Sequence, residues 1–103
     1  MMNMNDLELQ NLAVLLKVLG EPNRLSLVCK LCDCSTPQNA MCLCDCCSVD
    51  ASVVSRHLKL LTSAGVLSVD KQGRQRSYSL NRSFVADRLR YLADKIDSTK
   101  EYS

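Results

Sequence analysis

The stretch Asp50-Ala51-Ser52-Val53-Val54-Ser55-Arg56-His57-Leu58-Lys59-Leu60-Leu61-Thr62-Ser63-Ala64-Gly65 decides how the rest of the chain is read. Asp50 stands where a helix cap belongs: its carboxylate can accept the amide of Ser52 or Val53, and negative charge is favoured at the positive end of a helix dipole. The spacing predicts a helix from Ala51 to about Ser63, closed at Gly65, the residue type that tolerates a left-handed exit. Ala51, Val54, Leu58 and Leu61 fall on one side of that helix, while Ser52, Ser55, Arg56, Lys59 and Ser63 spread over another. One face packs and the other is wet and basic. Short hydroxyl side chains beside a guanidinium and an ammonium suit a helix lying in a DNA major groove. There Arg56 can fork onto a guanine edge or a phosphate, and Lys59 can hold the backbone. Solvent exposure alone also produces charged helix faces, so the flanking sequence has to decide between the two readings.

Downstream, Val66, Leu67 and Val69, then Asp70-Lys71-Gln72-Gly73, then Arg74 to Leu80 read as two short strands around a glycine turn. Arg74, Gln75 and Arg76 fall at the tip and return strand, and Lys71, Arg74 and Arg76 cluster with no acid between them. A basic hairpin directly after the helix is the arrangement expected of a wing reaching across a groove to phosphates. Phe84, Val85, Leu89, Leu92 and Ile96 then give a final amphipathic helix to about Thr99, with Asn81 or Ser83 as its cap.

Upstream, Leu7, Leu9, Leu12, Leu15, Leu16 and Leu19 recur at mostly helical spacing behind Asn5 and Asp6 as caps, and Gly20 with Pro22 ends the pattern. A second helix opens near Pro22, where proline suits the first turn, and ends near Cys34 or Ser35. It carries Leu25, Val28, Leu31 and Cys32 on one face. Thr36 and Pro37 start a short third helix to about Cys47. The fold class that results is mainly α with a small β-hairpin, a winged helix-turn-helix in the order α-α-α-α-β-β-α, forming one domain over residues 1–103.

The 103 residues, 47% of them apolar, suffice for one core, but a domain of this size leaves much surface uncovered, and dimerisation would offset that shortfall. No apolar run approaches the roughly 20 residues that span a bilayer, and no basic segment followed by an apolar run opens the chain. These features predict a soluble, cytoplasmic protein. The net charge of +2 is too small to argue for nucleic acid on its own, so the placement of the charges carries that argument.

The run Val54-Ser55-Arg56-His57-Leu58-Lys59-Leu60-Leu61, with Ala64-Gly65-Val66-Leu67, Gly73-Arg74 and Tyr78-Ser79-Leu80, resembles the arsenical-resistance-repressor (ArsR/SmtB) family of bacterial winged-helix sensors. Leu19-Gly20-Glu21-Pro22-Asn23-Arg24-Leu25 is similar to the same family's second-helix entry, and the resemblance covers roughly residues 12 to 81. It implies a homodimer built by the first and last helices, bound to a twofold-symmetric operator as a repressor and released by an inducer. His57, on the flank of the reading helix, is expected to serve packing or capping rather than DNA.

The cysteines suggest the inducer. There are seven, an odd number without an export signal, which favours reduced thiols over a disulfide scaffold. Cys29 and Cys32 read as small hydrophobes on or near the packed face of the second helix, and Cys34 at its end is open to either reading. Cys42, Cys44, Cys46 and Cys47 crowd around Asp45, an odd way to build a core and a good way to bind a soft ion. Cys42, Cys44 and Cys47 form a C-x-C-x-x-C spacing that resembles the third-helix arsenite site of some family members. The adjacent pair Cys46-Cys47 with a third thiol from elsewhere is the alternative, so the expectation is a thiol site in this window rather than one fixed triad. Trivalent arsenic or antimony suits three thiols: each displaces a hydroxide with loss of water, and the trigonal product is neutral, which avoids burying charge.

On a helix Cys44 and Cys47 are neighbours while Cys42 points nearly the opposite way, so capture by all three implies that the third helix unwinds or kinks. The last helix lacks histidine, which removes the nitrogen and oxygen zinc site of other relatives, and an all-cysteine structural zinc site has little loop to wrap a tetrahedron. No obligatory cofactor is expected. A redox or sulfur sensor using two thiols and a metal storage or chaperone protein remain as alternatives. A cysteine enzyme is disfavoured because no base is placed near these thiols.

Overall fold

The computed structural model describes residues 4–45, 47 and 49–98. Helix α1 runs Met4–Leu19 and α2 Pro22–Cys32, followed by a two-residue strand β1 (Gln38–Asn39) and a five-residue helix α3 (Ala40–Cys44). Helix α4 (Ala51–Ser63), strands β2 (Leu67–Gln72) and β3 (Gln75–Leu80), and helix α5 (Arg82–Asp97) complete it. The expected order of helices and hairpin stands, with one addition. Strand β1 joins the hairpin as a third strand in the order β1-β3-β2, pairing Gln38 with Tyr78 and Asn39 with Ser77. A two-residue strand has too little length for period-two alternation to register in a sequence.

The third helix is shorter than the span from Thr36 to Cys47. The chain enters it only after β1, where Asn39 Oδ1 accepts the Cys42 amide at 2.9 Å as an N-cap. Cys47 therefore lies beyond its end. Asn5 and Asp6 sit inside the first turn of α1 rather than before it. Glu21 caps α2, its carboxylate accepting the Arg24 amide at 2.9 Å. The Thr99 end expected for the last helix lies outside the described residues.

One core gathers Leu12, Leu15, Val18 and Leu19 of α1, Leu27, Val28 and Leu31 of α2, Leu43 of α3, Val54, Leu58 and Leu61 of α4, then Val66, Leu67, Tyr78 and Val85. The stripe on α2 differs from the expected one. Leu27, Val28 and Leu31 are buried, whereas Leu25, Cys29 and Cys32 are exposed. Ala51 is likewise exposed on α4, whose packing face takes in the half-buried Val53 and His57 instead. Each reassignment follows from tertiary position: a wheel gives the neighbours along a helix but not the angle at which the helix meets its partners.

Two junctions hold the hairpin to the helices. Gly65 takes φ +86°, and a Cβ there would meet the Phe84 ring at 3.0 Å, so the α4 exit needs glycine for both conformation and space. Asn81, at the N-cap position of α5, turns its side chain away from that helix. Its Nδ2 donates to the Gly65 carbonyl at 2.8 Å and its Oδ1 accepts from Ser68 Oγ at 2.7 Å. No helix among the described residues is long and apolar enough to cross a membrane.

Candidate nucleic-acid interface and thiol window

Val54, Leu58 and Leu61 are fully buried and fix α4 against the core by one face. Ser52, Ser55, Arg56 and Lys59 are thereby left exposed on the other. Asp50 occupies the cap position, but its backbone carbonyl rather than its carboxylate receives the Val53 and Val54 amides, both at 3.0 Å, and its side chain makes no capping bond. The wing turns on Gly73-Arg74, with Gly73 at φ +64° and no positive φ at Arg74, the φ pattern of a glycine-first hairpin turn matched to strand twist.

Across the wing Lys71 pairs directly with Arg76. Like charges facing each other on a sheet are unfavourable, and an anion laid against both would relieve that. Among the described residues, Arg90 is ion-paired with Asp87, and His57 Nε2 lies near the Glu21 carboxylate. Arg56, Lys59, Lys71, Arg74 and Arg76 thus carry positive charge with no acid neutralising it. A cleft of about 390 Å³ between α4 and the wing is lined by Ser55, Lys59, Thr62, Ser63, Val69, Lys71, Arg76 and Tyr78. A second of about 280 Å³, toward β1 and α3, is lined by Asn39, Ala40, Met41, Ser55, Arg74, Gln75, Arg76 and Tyr78.

Five of the seven residues expected at the interface, Ser55, Lys59, Arg74, Gln75 and Arg76, thus meet around one helix–wing junction. Ser52 and Arg56 stand on the exposed face of α4 and line neither cleft. Thr62, which the sequence did not single out, and Tyr78, quoted there only for the family resemblance, also line the junction, and Asn39 and Met41 join it only because β1 pairs with β3.

His57 faces inward, its side chain 14% exposed, between two residues from the start of α2. Arg24 Nη1 lies 3.3 Å from its Nδ1, and the opposite edge of the ring turns Nε2 toward Glu21. That nitrogen lies 3.8 Å from Glu21 Oε1. The amide of Arg24, first, holds the Glu21 carboxyl below its ordinary value; partial removal from water opposes this, and the Asn23 amide, His57 and the Asn23 side chain assist it. His57 therefore fastens the reading helix to α2, the packing role expected of it.

In the thiol window, Cys42 is exposed on α3. Cys44 and Cys47 are half-buried against the core beside the fully buried Leu43. The Cys47 amide donates to Cys44 O at 3.1 Å, and its Sγ faces the Asn23 carbonyl at 3.7 Å. Cys46 lies outside the described residues. Among the described residues no three cysteine, histidine or carboxylate groups converge as a metal site. As it stands, the window presents Cys42 to solvent and the other two thiols to the core, so a three-thiol ligand would require this segment to rearrange.

No family model matches the chain, and no curated protein matches it significantly. Solved structures do. The chain is 35% identical to a possible transcriptional regulator for arsenical resistance, over 80% of this chain and 82% of that one, with a TM-score of 0.68. It is 27% identical to the transcriptional repressor BigR from Xylella fastidiosa, over 88% of this chain and 93% of that one, at TM-score 0.67. At 17% identity it shares the fold of a homodimeric winged helix-turn-helix DNA-binding domain from Mycobacterium bovis, a possible ArsR-family regulator. That match covers 100% of this chain and 94% of the other at TM-score 0.71. The identity to the first of these over four fifths of both chains, together with a helix–wing junction of unneutralised cations, makes this chain a member of the ArsR family of winged-helix transcriptional regulators.

Proposed function

We propose that the protein is a homodimeric repressor that lays α4 in the major groove of a twofold-symmetric operator and is released when trivalent arsenic or antimony, or another thiophilic ion, binds thiols of residues 42–47. The observation that carries this reading is the position of the thiol window: it sits between a capped helix start and the reading helix, and its contacts lead to both DNA-facing elements. Asn39 caps α3 through the Cys42 amide and at the same time pairs with Ser77 of the wing. Cys47 faces the Asn23 carbonyl, and Asn23 Nδ2 donates to Glu21 at 3.4 Å, next to His57 of α4. An isolated five-residue helix is marginal in water, so ligation could unwind α3 at little cost and disturb both routes.

Homodimerisation is supported by apolar residues that this chain leaves uncovered on its terminal helices. Leu7, Leu9 and Val14 of α1 are 63%, 53% and 53% exposed, and Ile96 of α5 is 66% exposed. Such residues on two neighbouring helices fit the closing of a shared interface.

Titrating reduced protein on a labelled operator duplex with arsenite, antimonite, mercuric and cadmium ions tests the reading. Release by a trivalent metalloid at about one equivalent per protomer is expected, and an operator complex indifferent to all four overturns the sensor. The second reading, a redox or sulfur switch, draws support from the exposure of the Cys42 thiol and predicts a reversible two-proton mass loss on mild oxidation, coupled to loss of DNA binding. A storage protein would bind metal without operator affinity.

A further inference from the structure

The role proposed for residues 42–47 leaves the cysteines of α2 without a function. Cysteine is among the most buried residue types, yet Cys29 and Cys32 are both exposed while the buried stripe of the same helix is made by Leu27, Val28 and Leu31. They contribute nothing to the core. One helical turn separates them, which places their Cβ atoms about 5–6 Å apart on one face. Cys34 is set aside from the pair, since its Sγ is directed to the Lys30 carbonyl at 3.2 Å. The scaffold beneath them is braced, with Arg82 Nη2 donating to the carbonyls of Leu31, Cys32 and Cys34 at 3.2, 3.2 and 3.0 Å. No third donor converges on them among the described residues. Two thiols with no third ligand cannot complete a tetrahedral zinc site; they match an acceptor that has only two positions to exchange.

We infer that Cys29 and Cys32 form a second thiol site, separate from residues 42–47, for trivalent arsenicals that carry one carbon substituent. Such an arsenical, R–As(OH)₂, forms two As–S bonds and breaks two As–O bonds. Each departing hydroxide takes the proton of the incoming thiol and leaves as water, so arsenic stays trivalent and the adduct is neutral. Inorganic arsenite, with three positions to exchange, would keep one hydroxide here and bind more weakly than at a three-thiol site. Because both side chains already face solvent, occupancy requires no refolding of α2.

Phenylarsine oxide is the probe, and the full-length chain carrying Cys42→Ser, Cys44→Ser, Cys46→Ser and Cys47→Ser is the background, followed by native mass spectrometry in excess glutathione. One phenylarsenic adduct per protomer is expected, resistant to the monothiol and removed by a dithiol. It should vanish when either Cys29→Ser or Cys32→Ser is added and persist with Cys34→Ser; circular dichroism confirms that each protein is folded. No adduct in the folded background overturns the inference, as does an adduct that survives Cys29→Ser or Cys32→Ser, or one that disappears with Cys34→Ser. The assay contains no DNA, so its failure leaves the operator-release reading standing, and failure of arsenite to release the operator leaves this site untouched.

Discussion

Arg56 and Lys59 are exposed on α4 with no acidic partner among the described residues, and under the proposed function DNA would supply their partners. Arg56→Ala is expected to weaken operator binding by ~1–3 kcal/mol if it reads a base edge, while arsenite stoichiometry, measured by thiol titration, stays unchanged. Simultaneous loss of both would point to fold damage rather than a lost contact. Glu21 carries a different prediction, because its carboxyl is held below its ordinary value of 4.5 chiefly by the Arg24 amide. A depressed carboxylate stabilises the fold when ionised, and that contribution is lost as pH falls through its folded pKa. Thermal unfolding from pH 6 down to about pH 3 should therefore show a smaller acid-induced fall in Tm for Glu21→Gln than for the native chain, with the difference confined to the region below the ordinary value.

Among the elements, α4 owes its placement to Val54, Leu58 and Leu61, all fully buried. Leu58→Ala should cost ~2–5 kcal/mol of stability in urea unfolding, and operator binding should fall with it. Helix α3 is capped at its N-terminus by the side chain of Asn39. Removing that cap with Asn39→Ala takes away the acceptor for the Cys42 amide while leaving the β1 backbone free to pair with β3. Operator affinity is then expected to change little, whereas the arsenite concentration needed for release should shift several-fold; Asn39→Asp, which keeps an acceptor oxygen, should restore the native value. Release curves that superimpose for all three proteins would refute a link from the thiol window to the wing through this residue.

For the whole molecule, a Cα radius of gyration of 15.9 Å exceeds the roughly 13 Å of a compact chain of this length. The terminal helices extend an apolar surface that one copy does not cover. Ile96→Asp together with Leu9→Asp should convert dimer to monomer in sedimentation, and operator affinity should drop steeply because two half-sites are no longer read together. Operator affinity should also fall linearly on a log–log plot against salt, with a slope of about −0.9 per neutralised phosphate. A flat dependence would mean that the cations around the helix–wing junction do not touch the DNA backbone.

Local chemistry written in consecutive residues was readable without coordinates. The period of α4, the left-handed exit at Gly65, the turn at Gly73 and the crowding of thiols from Cys42 to Cys47 all lie within a few positions of chain, where spacing and residue type determine what forms. Tertiary structure alone decided which face of α2 is covered, so that Cys29 and Cys32 turned from expected core into solvent-facing thiols. It also paired Gln38 and Asn39 with the wing, stopped α3 at Cys44, and set His57 between Arg24 and Glu21. The physical reason is the same in each case: periodicity orients a side chain relative to its own helix axis, whereas burial and long-range pairing depend on where other elements pack, information carried by contacts between residues far apart in the chain.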